Sequence, residues 1–223
     1  GVGYAFSPLP PAPADPDASS AAPAVCQAID RYEEACANLR SAGSRRGAQM
    51  AVLSCSHPDI LELAGAKRGR RRWRTFNVSV AVTDAFLDAV GRDDAWALEH
   101  AARPGAAAVA AGAVRSESGL WRYRVESARA IWDEICRQAL HSSEPGLLYI
   151  DTIKRTNNLR ALESIRATNP CGEQPLPEYG CCVLGPIDLS RLVRHPFGVA
   201  APPEIDLARL GGMVRTQVRM LDN

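Results

Sequence analysis

Phe76-Asn77-Val78-Ser79-Val80-Ala81-Val82-Thr83-Asp84-Ala85-Phe86 reads as a strand that turns directly into a helix. Residues 76 to 82 alternate and are rich in β-branched side chains, which suits a strand with at least one buried face. Thr83 offers a side-chain oxygen to cap a helix through about Val90. Asp84 adds a negative charge at the positive end of that helix dipole. A strand followed at once by a helix is the unit of α/β folds, so the flanking sequence should repeat it.

It does on both sides. Val25, Ile29, Tyr32, Cys36 and Leu39 are spaced by four, three, four and three, one face of a helix over about 25 to 40 with Gly43 as its breaker. Gln49 to Ser54 reads as a strand, and Pro58 to Ala64 as a short helix with proline near its start. Trp96 to His100 and Leu120 to Val125 read as a strand pair around an Ala/Gly-rich excursion over 101 to 119. Ser127 caps an amphipathic helix carrying Ala128, Ile131, Trp132, Ile135 and Ala139, and Leu147 to Ile150 is a short apolar run suited to a buried strand. A last helix over about 204 to 222 aligns Leu207, Leu210, Val214, Val218 and Leu221. Gly211 and Gly212 inside it each cost about 1 kcal/mol relative to alanine. Residues 8 to 24, rich in Pro, Ala, Ser and Asp, read as a loop. The alternation predicts an α/β fold with a largely parallel sheet.

The bulk properties exclude several classes. A chain of 223 residues with 46% hydrophobic residues can bury a core, and a net charge of +1 argues against a surface that coats nucleic acid. No run of about 18 apolar residues is present, so no transmembrane helix is expected. The first residues carry neither an initiator Met nor the regions of a signal peptide, which makes the cytoplasm the expected location. Both ends look cut, so the chain is expected to be an internal piece of a longer protein. Seven cysteines, an odd count with no export signal and no C-x-x-C pair, point away from a disulfide framework or a zinc ribbon. Cys26, Cys36, Cys55 and Cys136 read as small buried hydrophobes. His57, His100, His141 and His195 show no ligand spacing, so no metal site is expected. The run from Lys67 to Arg74 holds six cations and a tryptophan, and it reads as a solvated connection between helix and strand rather than a nucleic-acid patch.

Chemistry concentrates in Asn169-Pro170-Cys171-Gly172-Glu173-Gln174-Pro175, with Cys182 eleven residues after Cys171. Glycine and two prolines argue against a helix or central strand there. In an extended loop, residues two apart project to the same side, so Asn169, Cys171 and Glu173 can converge on one small molecule.

With its neighbours Ala167, Thr168, Leu176 and Pro177, this loop resembles the active-site loop of the adenosylcobalamin-dependent ribonucleotide reductases, which need no separate radical-generating subunit. Gly1-Val2-Gly3-Tyr4 with Phe6-Ser7, Ser41 to Met50, His57-Pro58-Asp59-Ile60, Phe76 to Val80 with Val82 to Phe86, Glu144-Pro145-Gly146 and Val218 to Asn223 resemble the same family in its order. The resemblance implies one partial domain over 1–223, part of a ten-stranded α/β barrel that this chain leaves incomplete, with the Cys171 loop threaded into its centre. It implies reduction of ribonucleotides, as diphosphates or triphosphates, to 2′-deoxyribonucleotides for DNA synthesis and repair. Cys171 matches the cysteine whose thiyl radical removes the 3′ hydrogen. Glu173 matches the general base for the 3′-hydroxyl, and Asn169 matches the amide that hydrogen-bonds the ribose hydroxyls. Cys182 matches one of two reducing cysteines, its partner lying upstream of Gly1.

Ser44-Arg45-Arg46-Gly47 resembles the loop that links a bound deoxynucleotide effector to the substrate base, and Ser7 is added as a candidate substrate contact. The resemblance further implies adenosylcobalamin as cofactor, an external dithiol reductant such as thioredoxin, no nucleic-acid or membrane partner, and an assembly that includes the homodimer. There are departures: Leu184-Gly185-Pro186-Ile187-Asp188-Leu189 replaces the family's Leu-Gly-Ser-Ile-Asn-Leu, and Pro8 to Gln27 diverges in a region that serves the effector site. An alternative is therefore a truncated or degenerate relative that binds nucleotide without catalysis. A third reading makes Cys181-Cys182 a generic thiol redox site, active without nucleotide.

Overall fold

The computed structural model describes residues 1–12, 24–42, 47–69 and 72–222. They form two compact units, Gly1–Tyr179 and Gly180–Asn223. The first unit runs β1 (Val2–Ala5), α1 (Val25–Ala42), β2 (Gln49–Ser54), α2 (Ile60–Gly65), β3 (Phe76–Val82), α3 (Asp84–Arg92), β4 (Ala95–His100), α4 (Ala106–Ala110), β5 (Val114–Arg115), β6 (Trp121–Ser127), α5 (Ala128–Ser142), β7 (Gly146–Tyr149), α6 (Ile150–Thr156), β8 (Ala167–Thr168) and β9 (Pro175–Leu176).

The main sheet has the order β1-β2-β3-β7, with every pair parallel. Side chains alternate across a strand, so the register sorts them onto two faces. Ala51 and Leu53 of β2 and Val78, Val80 and Val82 of β3 join one core cluster with Ile29 of α1, Leu63 of α2, Phe86 of α3 and Ile131 and Ile135 of α5. Burying each large member contributes about 1.5–3 kcal/mol, which makes this face the main source of stability. The opposite face carries a smaller cluster of Met50, Val52, Ala81, Leu148 and Ile150. Two expected caps hold the helices to the sheet: Thr83 Oγ1 accepts from the Phe86 N–H at 3.1 Å, and Ser127 Oγ from the Ala130 N–H at 3.1 Å.

The parallel sheet is as the alternation predicts, and the departures have local causes. Residues 101 to 119 are not a plain excursion: α4 lies within them, and β5 adds to the antiparallel pair to give a sheet ordered β4-β6-β5. The short helix expected from Pro58 begins at Ile60, with Asp59 in the capping position. Ile150 is the first residue of α6 rather than the end of a strand. Cys26 and Cys55 are buried, but Cys36 is half-buried and Cys136 exposed. Cys136 sits one residue past Ile135, a step of about 100° round the helix that carries it off the core-facing stripe. Gly43 lies outside the described residues.

The second unit contains a 3₁₀ turn at Leu189–Leu192, the antiparallel pair β10 (Val193–Arg194) and β11 (Glu204–Ile205), and α7 (Leu207–Asp222). Residues 204 and 205, expected as helix, pair as strand, and the helix begins at Leu207. No residue of α7 is buried, so its aligned Leu207, Val214 and Val218 remain exposed. Among the described residues no helix is long and apolar enough to cross a membrane.

Candidate active site

The loop singled out in the sequence closes a hairpin. Ala167 pairs with Leu176 and Thr168 with Pro175, leaving Asn169 to Gln174 as the connection. Asn169 organises it. Its N–H donates to the Gln174 carbonyl at 3.0 Å, its carbonyl accepts from the Gly172 N–H at 3.1 Å, and its Oδ1 accepts from the Gln174 N–H at 3.1 Å. Its side-chain amide also donates, from Asn169 Nδ2 to Glu173 Oε1 at 2.6 Å. Gly172 has φ +86°, a region that residues with a Cβ adopt only under strain. Asn169 and Glu173 therefore meet through a tight turn and not through the extended loop expected from the sequence. The Cys171 thiol is exposed between them in sequence, while Pro170 and Thr168 are buried.

The hairpin lies on the face of the main sheet that carries Met50. Gly3 of β1 has no side chain where the Thr168 carbonyl passes, and a Cβ there would overlap it. Asn77 Nδ2 of β3 donates to the Pro170 carbonyl at 2.7 Å. Neither residue was marked as functional in the sequence. The only local signal was an asparagine inside a Val-rich strand, where that residue type is depleted.

Residues 1–223 match the family described as ribonucleotide reductase, barrel domain. The chain belongs to that family. It is 38% identical over 226 residues to the vitamin B12-dependent ribonucleoside-diphosphate reductase of Mycobacterium tuberculosis (strain CDC 1551 / Oshkosh), covering 100% of this chain and 29% of the relative. It is 37% identical over 186 residues to the protein of the same name from Thermoplasma acidophilum, covering 83% of this chain and 21% of the relative. A ribonucleoside-diphosphate reductase large subunit from Dictyostelium discoideum is 28% identical over 182 residues, 73% of this chain and 20% of the relative. The chain thus spans less than a third of the length of these relatives. Its mixed α/β architecture, with four parallel strands, is consistent with an incomplete barrel.

The other candidates of this barrel-domain segment fall in varied settings. Ser7 is half-buried just beyond β1, where its Oγ accepts from the Ser54 N–H at 2.9 Å. Ser44, Arg45 and Arg46 lie outside the described residues. Gly47 packs so closely on Cys36 that a Cβ would overlap the sulfur. Cys181 and Cys182 are both exposed and belong to the second unit, whereas Cys171 belongs to the first.

Within the basic run, Lys67, Arg72 and Trp73 make structural contacts. Arg72 donates to Asp30 of α1 at 3.0 and 2.7 Å and stacks over Trp73 at 4.6 Å, while Trp73 Nε1 reaches the same carboxylate at 2.7 Å. The Arg72 hydrogen bond holds the Asp30 carboxyl below its usual range. Lys67 donates to Glu144 at 2.7 Å, and the other Glu144 oxygen accepts from the Val78 N–H at 2.7 Å. These bonds tie α1 and β3 into one frame.

At Ser7–Ala12, a second polar cluster clamps the chain. His57 Nδ1 accepts from the Asp59 N–H at 3.0 Å, so the ring proton is on Nε2, which donates to the Leu9 carbonyl at 3.0 Å. Both Asp59 carboxylate oxygens accept from the Ala12 N–H, at 3.2 and 3.1 Å. Burial lowers His57 to about 4 and raises Asp59. The His100 ring lies 5.3 Å from that of His57, yet among the described residues no group of three or more His, Cys, Asp or Glu is arranged to hold a metal ion.

Proposed function

We propose that this chain is the ribose-contacting segment of an adenosylcobalamin-dependent ribonucleotide reductase, acting in the whole protein on ribonucleoside diphosphates. The observation that carries the reading is the Asn169–Glu173 hydrogen bond of 2.6 Å inside a hairpin loop that leaves the Cys171 thiol exposed. An amide, a carboxylate and a thiol within five residues match the needs of a ribose whose 2′-hydroxyl must leave from an unactivated carbon.

In this reading Cys171 sulfur, as a thiyl radical, takes the 3′ hydrogen atom. Glu173, a carboxylate, takes the 3′-hydroxyl proton, within the hydrogen-bond reach that a general base requires. Asn169 aligns the carboxylate and offers its amide to the ribose hydroxyls. The 2′-hydroxyl leaves as water, the 3′ hydrogen returns to the sugar, and two electrons come from Cys182 and an upstream cysteine, which close to a disulfide. An external dithiol such as thioredoxin then reopens the pair by thiol–disulfide exchange.

Adenosylcobalamin supplies the radical chemistry when bound. The described residues suit the receiving end of that chemistry, an accessible thiol, and include no set of side chains grouped to ligate a metal. Deoxynucleotide control through Ser44, Arg45, Arg46 and Gly47, a substrate contact from Ser7, homodimer assembly and a cytoplasmic setting complete the proposal. The guanidinium forks of Arg45 and Arg46 suit phosphate or base contacts.

The deciding experiment replaces Cys171 with Ser in the full-length protein. Deoxynucleotide formation should vanish while effector binding persists. Unchanged turnover would overturn the assignment.

A further inference from the structure

We infer that Asn77 is a positioning residue for the Cys171 loop, the donor arm of a three-residue seat that it forms with Gly3 and Met50. The inference rests on the reading of Cys171 as the residue that abstracts hydrogen. Gly3, Met50 and Asn77 are Cα partners in one row across β1, β2 and β3, so all three project from the same face of the sheet. Each meets a different residue of the hairpin. Gly3 leaves room for the Thr168 carbonyl. Met50 Cε lies 3.6 Å from where a Cβ of Gly172 would sit. Asn77 Nδ2 donates to the Pro170 carbonyl at 2.7 Å, across 93 residues of chain.

Two of the three contacts fall on Pro170 and Gly172, the residues immediately before and after Cys171. Pro170, before the thiol, is thus hydrogen-bonded to β3, and Gly172, after it, passes beside Met50 of β2, while the sulfur itself stays exposed. Strands hold a site more sharply than a loop does, because their own positions are locked by packing. Asn77 is exposed, so it adds little to the core. Its amide donor has one partner of consequence, the Pro170 carbonyl. That bond also accounts for an asparagine in a strand otherwise built of Phe, Val, Ser and Ala.

Hydrogen transfer needs the reacting atoms about 3–3.5 Å apart, and a displacement of about 1 Å costs on the order of 10²-fold in rate. The test uses the full-length protein with Asn77→Asp, which keeps the shape and loses the donor, and with Asn77→Ala, which adds no charge. Turnover is measured with ordinary and 3′-deuterated ribonucleotide, alongside the thermal midpoint. Both variants should lose on the order of 10²-fold in kcat with KM little changed. The deuterium isotope effect on kcat should rise as hydrogen transfer becomes the slow step. Asn77→Gln, which retains an amide donor, should recover part of the loss.

Wild-type kcat and isotope effect in both variants would overturn the inference. So would a kcat loss that tracks a fallen thermal midpoint with an unchanged isotope effect, since that is the signature of a structural role. A Cys171→Ser protein that still turns over would remove the underlying reading as well. An inactive Cys171→Ser beside unaffected Asn77 variants would remove this inference alone.

Discussion

The Cys171 hairpin and the His57 clamp each place a carboxylate among backbone hydrogen bonds, and they do opposite things with their polar side chains. In the hairpin, backbone groups hold the turn and Cys171 and Glu173 are left exposed. In the clamp, both ring nitrogens of His57 and both oxygens of Asp59 are engaged by backbone groups, and both residues are buried. Shifted titration marks functional sites often enough to serve as a search rule. Here the large shift of His57 belongs to a fully partnered structural cluster. On the proposed reading, the sign of chemistry is instead an exposed thiol beside a backbone bonded to the sheet.

The contrast can be broken most sharply at Glu173. Because the residue is exposed, Glu173→Gln should leave thermal stability unchanged and cut turnover of the full-length protein on the order of 10²–10⁴-fold, the usual range for a general base. Comparable turnover in the variant would place Glu173 outside the chemistry. On the structural side, Ile135→Ala empties a fully buried position between α5 and the sheet. Denaturant titration should show about 2–5 kcal/mol of lost stability. A loss well below that range would mean that the helix-covered face is not the main core.

A titration separates the two regions next. His57 has a folded-state value of about 4, below its ordinary 6.5, so the unfolded chain takes up the proton first as pH falls. Stability from the neutral ring is present above about 6.5, declines as pH falls from there and is gone below about 4, worth on the order of 3 kcal/mol. Asp59 acts in the opposite direction: with its value raised, the folded state gains protons before the unfolded state does. Comparing wild type with His57→Gln isolates the histidine part. The two melting curves against pH should diverge only in that window, and parallel curves would show that the ring does not carry the effect. The smallest effect is expected at Gly172→Ala, about 1 kcal/mol from a Cβ at positive φ. Hydrogen exchange should confine the change to the hairpin, and a change spread over the sheet would contradict a locally held turn.

The longer elements were legible because their periods are long enough to read. β3 alternates through seven residues and α5 keeps its apolar stripe through fifteen. β8 and β9 have two residues each, with no period to detect, so the hairpin that presents the site was not foreseen. β1 was hidden by its glycine, which is there for the Thr168 carbonyl and not for strand formation. Asn169, Cys171 and Glu173 were legible as a motif. Their convergence was expected for the wrong reason, since Gly172 turns the chain where alternation along an extended loop was assumed. Asn77 stayed silent because its partner is remote in sequence, and no local pattern encodes such a bond.

That remoteness bears on how the protein is born. The Asn77–Pro170 bond joins residues 93 apart, and β3 reaches its β7 partner only after a three-stranded sheet and α5 have been made in between. Contacts of such long range incur the full entropy of loop closure before they contribute anything, so they form late and set the pace of folding. A nascent chain therefore carries its thiol unseated until the strands beneath it are assembled. On the proposed reading of Cys171, the seating that its chemistry requires comes only after those strands are in place.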